Sequence, residues 1–340
     1  MFVPVVDRNN KPLMPTRIGR AKRWVISGKG TFFWKSYTLC VRLNVDPSDE
    51  QKQDIAVGID PGSKREAYTV KSKGHTYLNL LTETIDWIKD SLEVRRNMRK
   101  SRRSRNCRRR ECRFLNRHKS KLPPSTKSRW QLKINIVKNL FKALPITDIV
   151  VEDICAKTKF RKRKWNVSFS PLEVGKKWFY DQMSKCGPLT IIQGHETKRL
   201  RDSLNLKKDK NKLSDSFDSH NVDSWVLANF IVGGHTEPDN INLLKFVPLR
   251  FHRRQLHVLL LKHGKRKNYG GTMSLGFKRG SLVKHKKYNV VYVGGTMNDN
   301  ISVHEISTGK RISQKVKVSD CKFLTFCSIR IGLVPLSVIT

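Results

Sequence analysis

Acidic residues are scarce in this chain of 340 residues. It has 28 Asp plus Glu against 69 Lys plus Arg, for a formal net charge of +41 at pH 7. That imbalance argues against a protein working alone in solution and points to a polyanionic partner. Long apolar runs are missing, so no transmembrane segment or secretory leader is expected. The main basic run has no apolar face beside it, which argues against a membrane surface as the polyanion. Cysteines number only 7, an odd count, and are scattered. They read as free thiols of a reducing compartment, so the expected location is cytoplasmic. Cys107 and Cys112 form the nearest pair, but no matching Cys or His pair follows, which excludes a zinc site there. No internal repeat is evident.

Nucleic acid is the partner that fits, because basic side chains gain by releasing the counterions condensed on phosphates. The length allows two or three domains with a real core. The stretch that organises the chain is DIAVGIDPGSK, residues 54–64. Ile55, Val57 and Ile59 alternate as in a buried strand, which ends on Asp60 before Pro61 and Gly62 break it. A carboxylate at the end of a buried strand needs something to bind, and a hard divalent cation is one answer. The alternative is an Asp that caps its own turn. Strands are expected at about 54–60, 66–71 and 76–82, a meander like the opening of a ribonuclease H-like domain.

Residues 1–52 form an opening segment. Pro12 and Pro15 prevent a regular helix through Leu13 and Met14. Arg17, Arg20, Lys22, Arg23 and Trp24 mix cations with an aromatic ring, which suits an RNA backbone with a base stacked on the ring. The alternative is a small surface subdomain. Strands are expected within 31–45. From 84 to 121, Ile85, Ile88 and Leu92 keep helical spacing, and then the apolar pattern stops. About half the residues from Arg95 to Lys121 are basic, including Arg95, Arg96, Arg99, Arg102, Arg103, Arg105, Arg108, Arg109, Arg110 and Arg113. A helix here reaches about 55 Å with charge on every face. It makes sense where phosphates lie on several sides, and the rival readings are a disordered tail or a localisation signal.

Pro123 and Pro124 stop that helix, and Ser125 is expected to cap the next one. Trp130, Ile134, Val137, Phe141 and Leu144 give that next helix one apolar face, closed by Pro145. A buried strand follows over 147–154, carrying Glu152 at its end. FRKRKWNVSF, residues 160–169, reads as a backbone-contacting segment. Leu189–Gln193 is a strand, 196–204 a short helix, and KKDKNK, residues 207–212, a charged mobile loop. DSFDSHNVDSWVLANFIVG, residues 215–233, reads as a helix burying Val222, Val226, Leu227 and Phe230 and closed by Gly233 and Gly234. His220 and Asp223, three apart, share one of its faces. Beyond 245, Arg250, Arg253 and Arg254 stud an apolar segment, and then glycines punctuate short strands. A small β domain is expected there. Its basic residues Lys278, Arg279, Lys284 and Lys286 are candidates for DNA contact, since an Arg can read guanine in the major groove.

Asp60, Glu152, His220 and Asp223 now form a set. If the strands that carry the first two are neighbours, three carboxylates and an imidazole converge. Three clustered carboxylates need cations to stay ionised. Two Mg²⁺ ions, bound by Asp60, Glu152 and Asp223, would meet that need and clamp both oxygens of an in-line phosphodiester displacement. His220 would position or deprotonate the attacking water.

The motifs GIDPGSK (58–64), VVEDI (150–154) and DSHNVDSWVLA (218–228) resemble a RuvC nuclease split into three pieces. The Arg-rich insertion resembles the bridge helix of RNA-guided nucleases, and KPLMP (11–15) resembles the PLMP segment that opens the transposon-encoded IscB and IsrB families. IscB carries an HNH nuclease between the second and third RuvC pieces. Here that interval, from Cys155 to Phe217, has one histidine, His195, and no HNH-like cluster. The pattern therefore resembles the HNH-lacking IsrB family over nearly the whole length. The related TnpB family usually carries a CxxC zinc ribbon, which is absent here. Ser224 stands where many RuvC domains have Ala and is expected to pack.

The resemblance implies an α/β fold: a ribonuclease H-like (RuvC) core split by an Arg-rich helix. The expected divisions are a PLMP domain (1–52), RuvC-I (53–83), bridge helix (84–121), RuvC-II (122–160), a linker in place of HNH (161–187), RuvC-III (188–244) and a C-terminal β domain (245–340) that reads a target-adjacent motif. It also implies the catalytic set Asp60, Glu152, His220 and Asp223, and a monomeric, Mg²⁺-dependent nickase of the prokaryotic cytoplasm. That nickase would be guided by a noncoding RNA (ωRNA) to double-stranded DNA, whose displaced strand it cuts. Rival expectations are an unguided RuvC-like structure-specific endonuclease and a non-catalytic RNA-binding protein.

Overall fold

A computed structural model gives the fold of residues 2–35, 38–47, 51–105, 122–153, 172–250 and 273–334. The chain opens with β1 (Phe2–Val6), β2 (Pro12–Arg17), α1 (Ile18–Ile26), β3 (Gly30–Lys35) and β4 (Thr38–Leu43). These strands form a four-stranded sheet in the order β2-β1-β4-β3, with β1 parallel to β4. The two prolines of β2 lie on an edge strand, where a missing N–H costs no ladder bond. α1 lays Ala21 and Trp24 on the sheet, against Val3 and Val41. Trp24 thus packs inward, and the base-stacking ring expected beside Arg17, Arg20 and Arg23 is committed to this small core. The three arginines themselves are exposed.

The central unit contains β5 (Ile55–Asp60), β6 (Arg65–Ser72), β7 (Thr76–Glu83), α2 (Ile88–Ser104), α3 (Pro124–Ala143), β8 (Asp148–Asp153), α4 (Lys176–Met183), β9 (Leu189–Gln193), α5 (Gly194–Ser203), α6 (Phe217–Val232) and β10 (Leu243–Pro248). β5, β6 and β7 are the antiparallel meander expected from the sequence. β8 pairs parallel to β5 on its other side, and β9 parallel to β8. This strand order, with helices on both faces, is the ribonuclease H-like α/β fold.

The alternation along β5 decides which helix lies on which face. Ile55, Val57 and Ile59 join the core with Trp130, Ile134, Val137 and Leu140 of α3. Ala56, Gly58 and Asp60 face the other way, toward α6. A Cβ on Gly58 would overlap the Ser224 carbonyl oxygen and come within 2.8 Å of the Ala228 amide nitrogen. The missing side chain lets α6 lie directly on the strand.

Several local expectations change. α3 begins at Pro124 with Pro123 as its N-cap residue, so Ser125 lies inside the first turn. Proline is favoured at the first helical position, where its missing N–H is not needed. α6 is buried on nearly every side, including Asn221, Asp223 and Ser224, yet Phe230 is 53% exposed where the helix leaves the sheet. α4 falls within the stretch read as a linker (161–187), but Phe179 and Met183 are fully buried with α3, making it part of the core. α2 follows the first part of the basic run and buries no residue along Ile88–Ser104. Arg108, Arg109, Arg110, Arg113, Cys107 and Cys112, the 160–169 segment, Arg253 and Arg254 lie outside the described residues.

The C-terminal part contains β11 (Met273–Ser274), β12 (Phe277–Lys278), β13 (Ser281–His285), β14 (Asn289–Met297), β15 (Asn300–His304), β16 (Arg311–Val316), β17 (Cys321–Phe326) and β18 (Ile329–Val334). Five of these strands make an antiparallel sheet in the order β16-β15-β14-β13-β17 around Val283, Val291, Val293, Ile301 and Val303. The expected boundary at 245 is corrected. It cuts through β10, which pairs parallel with β7, and β18 returns to pair with β10. The central sheet therefore has seven strands, β18-β10-β7-β6-β5-β8-β9, and the β domain is an insertion between its last two in sequence. No described helix is long and apolar enough to cross a membrane.

Candidate active site

Asp60 ends β5, and β8 runs alongside in register, Gly58 opposite Val150 and Ile59 opposite Val151. Glu152 shares the face of Val150, which packs against Leu227 of α6, so it emerges beside Asp60. Asp223 comes down from α6 onto the same point. Ligand oxygens of Asp60, Glu152 and Asp223 all lie within 4.8 Å of one another.

The surroundings fix each acid. A Cβ on Gly62 would run into the carbonyl of Arg65, so only glycine permits the tight turn after Asp60. Beneath that turn, buried Lys133 of α3 pairs with buried Glu66, which also accepts from Tyr68 Oη at 2.8 Å. Asp153, next to Glu152, faces the opposite way and is held by Lys176 Nζ at 2.9 Å and Tyr180 Oη at 2.8 Å. Gly194 starts α5 in van der Waals contact with Glu152, its absent Cβ lying 3.3 Å from Oε1. Ser224 packs as expected and is fully buried; its Oγ donates to the Asn221 carbonyl at 2.9 Å and lies in hydrogen-bond contact with Thr69 Oγ1 at 2.8 Å.

Burial, with Asp60 and Asp223 close by, pushes the Glu152 carboxyl up to about 8. Burial also raises Asp60; Asp223 adds to the rise and Lys208 opposes it. A cation beside such a cluster favours the charged carboxylates. Two cations of the chain are already there. Arg201 of α5 donates from Nη1 to Asp223 Oδ1 at 2.7 Å. Lys208 Nζ lies 2.5 Å from Asp223 Oδ2 and 3.6 Å from Asp60 Oδ2. Burial works against the Lys208 charge, but the three acids outweigh it and raise its pKa.

His220 stands one helical turn before Asp223 and outside the carboxylate cluster. Its Nε2 lies 2.9 Å from the Ser214 carbonyl oxygen. Arg65 Nη1, which can only donate, lies 3.3 Å from the same nitrogen, so Nε2 faces an acceptor and a donor, and the two contacts favour opposite tautomers of the neutral ring. Burial, helped by Arg65 and Lys208, lowers its pKa and favours that neutral form. Arg65 braces the segment before α6, donating to the carbonyls of Ser214 (2.5 Å) and Lys212 (3.2 Å) and pairing with Asp215 at 3.0 Å.

The donor set is three hard carboxylate oxygens, mostly buried and mutually repelling. That is the chemistry a pair of Mg²⁺ or Mn²⁺ ions satisfies, and Asp60, Glu152 and Asp223 would hold them. The sequence reading missed Lys208, Arg201, Lys133 and Arg65. Lys208 lies in the segment read as a mobile loop, yet Asp209 ties that loop to α6: its Oδ2 accepts from Ser219 Oγ at 3.0 Å and its Oδ1 from the Asn211 amide at 2.9 Å. The other three leave no local pattern.

Of the nucleic-acid candidates, Arg95, Arg96, Arg99, Arg103 and Arg105 are exposed on or at the end of α2, and Arg102 is half-buried. Lys278 and Lys284 are exposed on the C-terminal strands. Lys278 lies over the Phe326 ring, and Lys286 pairs with Asp320 at 3.2 Å. Arg279 is half-buried between β12 and β13.

Residues 3–164 match the family model described as RRXRR protein, a span that takes in the N-terminal unit, β5 to β8 and the whole basic segment. T. thermophilus RuvC in complex with Holliday junction substrate is similar at 13% identity and a TM-score of 0.28, over 53% of this chain and 97% of that chain. No curated protein matches.

Proposed function

We propose that this chain is an RNA-guided DNA endonuclease, a nickase that hydrolyses the displaced strand of its target at one RuvC-type site. The observation that carries the nuclease reading is the convergence of Asp60, Glu152 and Asp223 on one face of a ribonuclease H-like sheet. Two Mg²⁺ ions held there would stabilise both the attacking and the leaving oxygen of the phosphodiester. His220, kept neutral, would position the attacking water or take a proton from it. Arg201 holds Asp223 by Oδ1 and so orients it.

The guided reading rests on the exposed basic helix α2, inserted between the strands that carry Asp60 and Glu152. It rests equally on the IsrB-like order of motifs. A helix with cations on all sides suits an RNA fold that wraps it, such as an ωRNA. Arg17, Arg20 and Arg23 of the N-terminal unit would contact the same RNA. The C-terminal sheet, through Lys278, Arg279, Lys284 and Lys286, would meet the double-stranded DNA beside the target. The protein would act as a monomer.

Purification from cells that express the chain together with its flanking DNA tests this. One defined RNA should copurify, and RNase treatment should abolish Mg²⁺-dependent cutting of a matching duplex. Cutting that survives RNase marks an unguided structure-specific endonuclease. A bound RNA with no cutting marks a non-catalytic RNA-binding protein.

A further inference from the structure

We propose that Lys208 is a built-in counter-ion of the three-carboxylate site, competing with a divalent cation for the oxygens of Asp223 and Asp60. The inference rests on the reading of Asp60, Glu152 and Asp223 as metal ligands, and concerns what metal loading must displace.

Asp223 has both oxygens in ion pairs, Oδ1 with Arg201 and Oδ2 with Lys208. A ligating oxygen sits about 2.0–2.1 Å from Mg²⁺. An ammonium 2.5 Å from that oxygen occupies the same approach and repels the incoming ion. The two cations are built differently. Arg201 projects from helix α5, is 16% exposed and bonds one oxygen with a rigid guanidinium. It can stay and orient Asp223. Lys208 is 31% exposed, on a flexible stem, and can swing out without moving a helix.

Nor is Lys208 a surface lysine that happens to drift over the site. The next residue, Asp209, is fastened to the first turn of α6 through Ser219 Oγ, and its own amide donates to the Asp218 carbonyl at 3.1 Å. The segment is shaped to place one ammonium between two acids. Without it, three carboxylates would face one another with only Arg201 in contact.

The test is a calorimetric Mn²⁺ titration of the full-length protein with its bound RNA, together with melting in EDTA. The proteins are wild type, Lys208→Met, Asp209→Ala and, as a control for general charge, Lys207→Met, whose side chain is exposed. Lys208→Met should bind Mn²⁺ at least about tenfold more tightly than wild type, because a contacting like charge is gone. It should melt about 2–4 °C lower in EDTA and recover that loss in Mn²⁺. Asp209→Ala, with the loop released, should shift both readouts the same way by less. Equal Mn²⁺ affinity in wild type and Lys208→Met overturns the counter-ion assignment and leaves the metal site standing. A Lys207→Met effect as large as that of Lys208→Met also overturns it. If neither wild type nor Lys208→Met binds Mn²⁺, the metal-site reading fails and this inference falls with it.

Discussion

At Gly58, a single added methyl would press on two backbone atoms of α6, the Ser224 carbonyl oxygen and the Ala228 amide nitrogen. Neither can yield without moving the helix that carries Asp223. Gly58→Ala should therefore destabilise the fold by about 1–3 kcal/mol, read from denaturant unfolding, and weaken cutting much more than RNA binding. On the proposed reading the acids themselves act on the chemical step. Even substitutions in the outer shell of a metal site cost about 10–100-fold, so Asp60→Asn, Glu152→Gln or Asp223→Asn should each lower the cutting rate more than about a hundredfold while guided DNA binding persists. Comparable cutting by Asp60→Asn protein in Mg²⁺ would remove the residue from the site. These acids were legible because each ends or follows a short apolar pattern that places it on a strand end or helix face. Lys208 and Arg201 were not, since their partner Asp223 lies 15 and 22 residues away and only the packing of α5 against α6 brings them together.

Among the elements, α6 is the one whose placement decides the site, and buried Lys71 at the end of β6 holds its far end. Lys71 Nζ donates to Asn229 Oδ1 at 2.6 Å and to the carbonyl of Gly233, just past the helix, at 2.7 Å. A cation there also suits the negative end of the helix dipole. Burial lowers its pKa from 10.5 to about 8. Between those values the unfolded chain keeps a proton that the folded chain has released, so stability rises with pH, by about 1.4 kcal/mol per pH unit at most. Below about pH 8 both states are protonated and this slope vanishes. The stability gap between wild type and Lys71→Met should thus widen from pH 8 to 10 and stay flat from pH 6 to 7.5, measured by urea unfolding. A flat gap throughout would mean the two acceptors keep the ammonium charged. α2 supports a different expectation. Replacing exposed Arg95, Arg96, Arg99 and Arg103 by Gln should weaken RNA binding and flatten its log–log salt dependence by about 0.7–0.9 for each phosphate no longer neutralised. An unchanged slope would show that the helix is merely solvated. The meander β5–β7 was readable from strict alternation. On α6 the expected Val222, Val226 and Leu227 are buried, but Asn221, Asp223 and Ser224 also face inward and Phe230 is exposed, which hydrophobicity alone does not announce.

For the whole molecule, the order of the sheet matters more than the order of the chain. β10 pairs with β7 across about 160 residues and β18 with β10 across nearly 90, pairings that no local pattern announces. The boundary that composition placed at 245 therefore fell inside the central sheet. Exchange of 277–326 with the corresponding sheet of a relative should preserve folding and move the target-adjacent preference, whereas a cut at 244 removes two strands of the core. The same arrangement bears on how many strands are cut. Among the described residues, Asp60, Glu152 and Asp223 form the one cluster of three acids, histidines or cysteines close enough to hold a metal. The helix between β8 and β9, α4, spends its buried residues on core packing with α3. On the guided reading proposed above, a site beside a guide–target heteroduplex would meet two unlike strands. The paired strand would be covered along its length, and the displaced strand would be free to reach the acids. A duplex labelled differently on each strand, incubated with protein, RNA and Mg²⁺ and run on a denaturing gel, should show one cut, in the displaced strand. Efficient cutting of both strands by the monomer would mean that a second nuclease centre exists, or that this site visits the two strands in turn. A Glu152→Gln variant separates those outcomes: it silences both cuts if one site makes them, and only the displaced-strand cut if there are two.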